Sequence, residues 1–126
     1  MLTKTIQIDG KDVKFKASAA IPRLYRVRFG RDIIVDMNRL KKSAEKVREG
    51  EQDEFEIDDL SIFENVAYMF AKHAAPEEVP NTIDEWLEQF NTFSIYLVLP
   101  EILELWGIDN LQTVESKKKL AQLTEK

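Results

Sequence analysis

The chain has 126 residues, 44% of them apolar and 33% charged, with a formal net charge of −5 and no cysteine. That composition suits one globular domain with a real core and excludes a disordered chain. The missing thiols exclude disulfides and cysteine-based metal sites and fit a reducing compartment.

The chain opens with a β-hairpin. Lys4-Thr5-Ile6-Gln7-Ile8 and Val13-Lys14-Phe15-Lys16 alternate apolar and polar residues on either side of Asp9-Gly10. A period of two puts Ile6 and Ile8 on one face, and Asp-Gly supplies the positive φ angles of a tight hairpin turn. Two strands cannot bury a core alone, so this face must lie on helices made by the rest of the chain. A helical segment follows from Ala19 to Phe29 and stops at Gly30. A second helix is predicted from Ile33 to Val47, where Ile33, Ile34, Met37, Leu40, Ala44 and Val47 recur at three- and four-residue spacing. Asp32 stands at its N-cap. Arg39, Lys41, Lys42, Lys46 and Arg48 line its other face, and those in the last turns suit the negative end of the helix dipole.

Gly50 to Glu56 reads as a mobile acidic loop and a poor place for a core. A third helix is predicted from about Leu60 to Ala74, capped by Asp58 or Asp59, with Ser61 and Glu64 at capping-box spacing. Leu60, Phe63, Ala67, Phe70 and Ala74 form its buried stripe, with Val66 and Ala71 beside it. Pro76 to Pro80 breaks the pattern. Thr82 and Glu85 make a second capping-box match, ahead of Ile83, Trp86, Leu87 and Phe90 on one helical face. From Phe93 to Trp106 nearly every residue is apolar, Gly107 ends the run, and Pro100 predicts a kink or a restart. A helix apolar almost all round is buried on several sides or touches another chain. Residues 111–126 read as a frayed helix or a disordered tail. The expected fold is α+β and mainly helical: a hairpin (1–18) on a bundle of four to five helices (19–107), then a polar tail (108–126), as one domain.

Residues that carry chemistry are sparse. His73 is the single histidine, at the end of the third predicted helix, and an imidazole near helix-end carbonyls is its simplest reading. One histidine without cysteines leaves almost no ligand set for structural zinc. The four glycines stand singly, so there is no phosphate-cradling loop. Asp53-Glu54 and Asp58-Asp59 read as loop and cap acids rather than magnesium ligands. We therefore expect no catalytic residue, no cofactor and no metal, and the chain does not read as an enzyme. Arg23, Arg26, Arg28 and Arg31 form a basic run that can be imagined on phosphates. The chain is acidic overall and has no recognition-helix motif, so Arg23 and Arg26 better suit a solvated face or a protein contact. Trp86, Phe90, Phe93, Tyr96 and Trp106 lie within twenty-one residues. Aromatics at helical spacing are most often core; the other reading is a partner-binding groove or subunit interface, where such rings serve as anchors.

The net charge hides a division. Residues 1–48 hold thirteen Lys or Arg against five Asp or Glu, residues 49–110 one Lys against sixteen acids, and residues 111–126 four Lys against two Glu. Either the basic and acidic parts pack against each other within the molecule, or one subunit's basic surface meets a neighbour's acidic one. Met1-Leu2-Thr3-Lys4 lacks the apolar core of a signal peptide, and no apolar run approaches bilayer-spanning length. We expect a cytoplasmic protein without a membrane partner.

Taken together, the hairpin around Ile8-Asp9-Gly10-Lys11, the segment from Ile21 to Ile33, Glu85-Trp86-Leu87-Glu88-Gln89-Phe90, Ser94-Ile95-Tyr96 through Leu99-Pro100, Leu105-Trp106 and the run Lys117-Lys118-Lys119 carry a likeness. In order and length the chain resembles the tail assembly chaperones of long-tailed (siphovirus-type) bacteriophages and prophages of Gram-positive bacteria. The resemblance implies a protein that binds the tape measure protein, a long, helical, aggregation-prone chain, and keeps it soluble during virion morphogenesis. It implies residence in the host cytoplasm and absence from the mature virion. It further implies self-association into rings or filaments, and a longer frameshifted product that recruits tail tube protein. On this reading Trp86, Phe90, Phe93, Tyr96, Trp106, Arg23 and Arg26 are the candidate partner-binding residues. The alternative is a small nucleic-acid-associated regulator encoded by a phage or mobile element, using the arginine-rich first helix.

Overall fold

In the computed structural model, which describes residues 2–107, strand β1 (Leu2–Ile8) pairs antiparallel with β2 (Lys11–Ala17). Asp9 (φ 55°) and Gly10 (φ 76°) are the two turn residues between them. Positive φ at both positions is the turn geometry whose twist matches that of the flanking strands. The turn fixes the register, with Ile8 opposite Lys11, Ile6 opposite Val13 and Lys4 opposite Phe15. Residues directly opposite share a face. Ile8, Phe15 and Ala17 on that face are buried, while Thr5, Gln7 and Lys14 on the other are exposed. Lys4 also lies on the inward face, and its ammonium pairs with Glu101 and Glu104. Those carboxylates hold its pKa above the ordinary lysine value.

Among the described residues five helices follow: α1 (Ile21–Phe29), α2 (Ile33–Arg48), α3 (Ile57–Ala74), α4 (Ile83–Leu87) and α5 (Ile95–Trp106). The fold is therefore α+β and mainly helical. Helix α1 has Pro22 in its first turn, where a missing N–H costs nothing, and ends at Gly30 in the left-handed conformation. Asp32 caps α2, its carboxylate accepting the Ile34 N–H at 2.9 Å. Helix α3 is the centre of the molecule: Phe63, Val66, Ala67, Tyr68, Phe70 and Ala71 are all buried, and β2, α1, α2, α4 and α5 pack against it.

Several expectations change in the folded chain. Helix α3 begins at Ile57, not Leu60, because Glu56 and Asp59 form the capping box that the sequence suggested for Ser61 and Glu64. Leu60 (37% exposed) and Ile34 (51% exposed) leave the predicted core stripes. Phe55 is buried despite its acidic surroundings, edge-on to Tyr96 with ring centroids 5.4 Å apart. Pro100 does not restart the last helix: α5 runs through it. Proline lacks only its own N–H, so the Tyr96 carbonyl four residues back loses a partner, and both residues lie on the exposed face. Helix α4 is a single short turn capped by Thr82, whose hydroxyl accepts the Glu85 N–H at 3.2 Å, and Phe90 lies beyond it. The predicted tail, with Lys117-Lys118-Lys119, lies outside the described residues.

Polar clamps hold α4 in place. The Lys72 ammonium donates to the carbonyls of Pro76 (2.8 Å) and Val79 (2.7 Å) and to Asn81 Oδ1 (3.0 Å). Tyr68 donates its hydroxyl hydrogen to the Pro80 carbonyl at 2.5 Å, and Arg28 donates to the Asn81 carbonyl at 2.7 Å. On the far side the hairpin tip takes part: Asp9 accepts the Asn91 N–H at 2.9 Å, and Lys11 donates to the Gln89 carbonyl.

Two buried carboxylates fix helix α2. Asp36 accepts from the Tyr25 hydroxyl at 2.7 Å and from the Arg31 guanidinium at 2.8 and 2.7 Å. Asp59 accepts from Arg39 at 2.8 Å and Ser43 at 2.9 Å. Burial pushes the Asp36 carboxyl up most strongly as a single cause, but the hydrogen bonds from Arg31 and Tyr25 and the nearby positive charge together hold it below the usual carboxylate value. The unfolded chain therefore takes up this proton first as pH falls. The stabilisation from Asp36 is complete above about pH 4, the ordinary carboxylate value, and is lost as pH drops through the folded value.

Two outcomes follow for urea unfolding. Trp86→Ala removes a ring that is 1% exposed and costs about 3–5 kcal/mol, whereas Tyr96→Ala, at a half-exposed site, costs only about 1 kcal/mol through its lost contact with Phe55. Asp36→Asn costs about 1–3 kcal/mol at pH 7 by weakening charge-assisted hydrogen bonds. Its deficit relative to the parent shrinks as pH is lowered below about 4, which unfolding curves at pH 7, 4 and 3 would record.

Candidate partner-binding surface

Helix α5 has one buried apolar face and a narrower apolar strip, Tyr96, Pro100 and Leu103, that lines a cleft. Ile95, Val98, Leu99, Ile102 and Leu105 recur at three- and four-residue spacing and are buried against the hairpin and α3. Tyr96 and Leu97 fall between them and point outward, 53% and 76% exposed. Beside Tyr96 a cleft of about 280 Å³ runs between α5 and the C-terminal half of α2. Ala44, Val47 and Arg48 of α2, Phe55, and Ile95, Tyr96, Leu99, Pro100 and Leu103 of α5 line it. The lining is apolar apart from the Arg48 guanidinium and the Tyr96 hydroxyl. From Ile95 to Leu103 the α5 wall is roughly 12 Å long at 1.5 Å per residue.

The five rings singled out in the sequence do not share one surface. Trp86 is a core residue, edge-on to Tyr68, Phe90 and Phe93 at 5.7, 5.6 and 5.1 Å. Phe90 and Phe93 are half-buried and stack on each other at 5.7 Å. Phe93 also reaches Phe63 at 5.3 Å, and the Lys11 ammonium sits over the Phe90 ring at 5.6 Å. These three rings join α4 and the following segment to α3. Trp106 is half-buried at the opposite end of α5, stacked on Phe70 at 5.7 Å. Tyr96 alone of the five is exposed and lines the apolar cleft. Sequence reasoning missed Leu97, Phe55, Leu103 and the α2 wall. The signal for Leu97 was present: a helix with a complete core stripe at 95, 98, 99, 102 and 105 must turn 96 and 97 outward.

Arg23 and Arg26 lie exposed on α1, which contributes nothing to the cleft, and their side chains make no hydrogen bond or ion pair among the described residues. Arg28 and Arg31 are engaged: Arg28 lies 4.8 Å from the centre of the Tyr68 ring, and Arg31 grips Asp36. The division of charge is partly closed within the molecule, since Lys4 pairs with Glu101 and Glu104, and Arg39 with Glu56, Asp58 and Asp59.

His73 meets a hydroxyl rather than carbonyls: its Nε2 lies 2.8 Å from Ser18 Oγ, which also accepts the Ala20 N–H at 3.2 Å. Burial, with Lys16 nearby, holds the imidazole below its ordinary pKa. The contact ties the β2–α1 junction to the end of α3. Among the described residues no three His, Asp or Glu side chains converge as metal ligands would, and no helix is long and apolar enough to cross a membrane. No protein family, curated protein or solved structure matches the chain.

Proposed function

We propose that this chain is a holding chaperone of phage tail assembly, binding the tape measure protein and keeping it soluble in the host cytoplasm until tail tube subunits polymerise around it. The observation that carries the reading is the apolar cleft between α2 and α5, with Tyr96 and Leu97 exposed on α5. A helical client with unburied apolar stripes needs a surface of this kind and no chemical turnover. Holding a client lowers its free concentration, and with it the rate of aggregation.

The magnitudes suit reversible holding. Covering one large apolar side chain yields about 1.5–3 kcal/mol, while association costs on the order of 4–15 kcal/mol before any surplus appears. Tyr96 and Leu97 together are too little, so a client must fill the cleft along its length. Micromolar affinity, about −8 kcal/mol, is the scale expected. The same proposal includes self-association into rings or filaments, a longer frameshifted form that recruits tail tube protein, and absence from the finished virion. The nucleic-acid regulator reading draws less support, because Arg28 and Arg31 are committed within the fold and only Arg23 and Arg26 of that run stand unpaired among the described residues.

Co-expression with a tape measure protein tests the proposal. The parent chain should raise the soluble fraction of the client several-fold. Tyr96→Asp and Leu97→Asp should return it toward the level of the client alone, with helical circular dichroism unchanged. Phe90→Ala, at a half-buried ring, should do so only in proportion to lost stability. Full client solubility with Tyr96→Asp, whose side chain lines the cleft, would remove the cleft from the account. Raising salt from 50 to 200 mM should weaken client capture less than tenfold, whereas binding through several phosphate contacts would fall by roughly 10³–10⁵.

A further inference from the structure

Among the described residues, Arg48 is the only charged one lining the α2–α5 cleft. It is exposed, and its guanidinium makes no hydrogen bond or ion pair among the described residues, unlike those of Arg28, Arg31 and Arg39. The cleft thus offers an apolar trough with an uncommitted cation in its lining. We propose that it takes about two turns of an amphipathic helix from another polypeptide, and that Arg48 selects a helix bearing a carboxylate beside its apolar stripe. This rests on the holding reading above and names the kind of segment recognised.

Three observations choose the occupant. The α5 wall, roughly 12 Å from Ile95 to Leu103, matches the axial span of a helix from residue i to i+7, so three or four apolar side chains at i, i+3 or i+4, and i+7 would lie along it. The lining otherwise lacks charge, which suits aliphatic and aromatic knobs and not a phosphate backbone, whose binding needs several cations. The guanidinium presents a rigid fork of donors that a carboxylate accepts in bidentate fashion. A helix in the trough with an Asp or Glu flanking its stripe would meet that fork, while one flanked by Lys would set like charges together.

Fluorescence anisotropy with the full chain tests this, using labelled eighteen-residue helical peptides. One carries Leu at i, i+3, i+7 and i+10 flanked by Glu; a second has the same stripe flanked by Lys; a third is a scramble of the first. We expect the Glu-flanked peptide to bind at least fivefold tighter than the Lys-flanked one, and the scramble to bind weakest. Arg48→Glu should reverse the order of the first two, and Tyr96→Asp should weaken both. Equal affinity for the two flanks, unchanged by Arg48→Glu, would overturn charge selection. If no peptide binds while the chain still keeps a tape measure protein soluble, the cleft is not the docking site and the holding function survives. If sedimentation shows that the peptide dissociates a pre-existing dimer, the cleft belongs to a second copy of the chain, and the inference falls.

Discussion

The hairpin's single apolar face is the constraint on which the rest of the structure depends. A two-stranded sheet has little to pack against itself. Its inward row, Ile8, Phe15 and Ala17 with Ile6 and Val13 at the margin, must therefore be covered by helices. Helix α3 supplies that cover and is in turn enclosed by the other four helices, so it carries buried side chains at nearly every position from Ile62 to Ala71. The two turn residues, Asp9 and Gly10, set this indirectly. A slip of one residue in register would turn Phe15 to solvent and bring lysines inward.

Polar groups then fix what apolar packing leaves free to slide. Helix α4 is too short to be stable by itself. It is held by Lys72, Tyr68 and Arg28 on one side and by the hairpin tip on the other, all reaching backbone carbonyls or amides. Asp36 and Asp59 play the same part for α2, each buried carboxylate receiving an arginine and a hydroxyl. Buried charges of this sort are costly unless fully paired, and among the described residues no buried side-chain polar atom lacks a partner. They contribute to the placement of helices more than to net stability.

The apolar surface on α5 is what remains once that core is complete. One face of α5 seals the hairpin and α3. On the other, Tyr96 touches Phe55 yet stays half-exposed, and Leu97 is 76% exposed. The bend-prone Pro100 lies on this outer side, where the freed carbonyl can face water. Scattered exposed aliphatics elsewhere, such as Val27 and Ile57, are ordinary for a protein surface. The α5 surface differs because an apolar cleft adjoins it, and because the opposite wall comes from α2, distant in sequence.

Much of the architecture was legible in the sequence. The strand alternation around Asp9-Gly10, the glycine stop at Gly30, the Asp32 cap and the Thr82 cap are local signals, set by backbone geometry and hydrogen bonding within a few residues, and each stands where it was read. Where the buried set departs from expectation, the deciding contact was long-range. Phe55 looked like loop and is core because Tyr96, forty-one residues later, packs beside it. Ile34 and Leu60 matched a helical stripe and are exposed because no neighbour among the described residues covers that edge of α2 or α3. Trp86, Phe90, Phe93, Tyr96 and Trp106 form one run in sequence, yet the fold sends Trp86 to the centre and Tyr96 to the surface. Periodicity fixes which side chains share a face of an element; only the packing of elements decides which faces meet protein and which meet water.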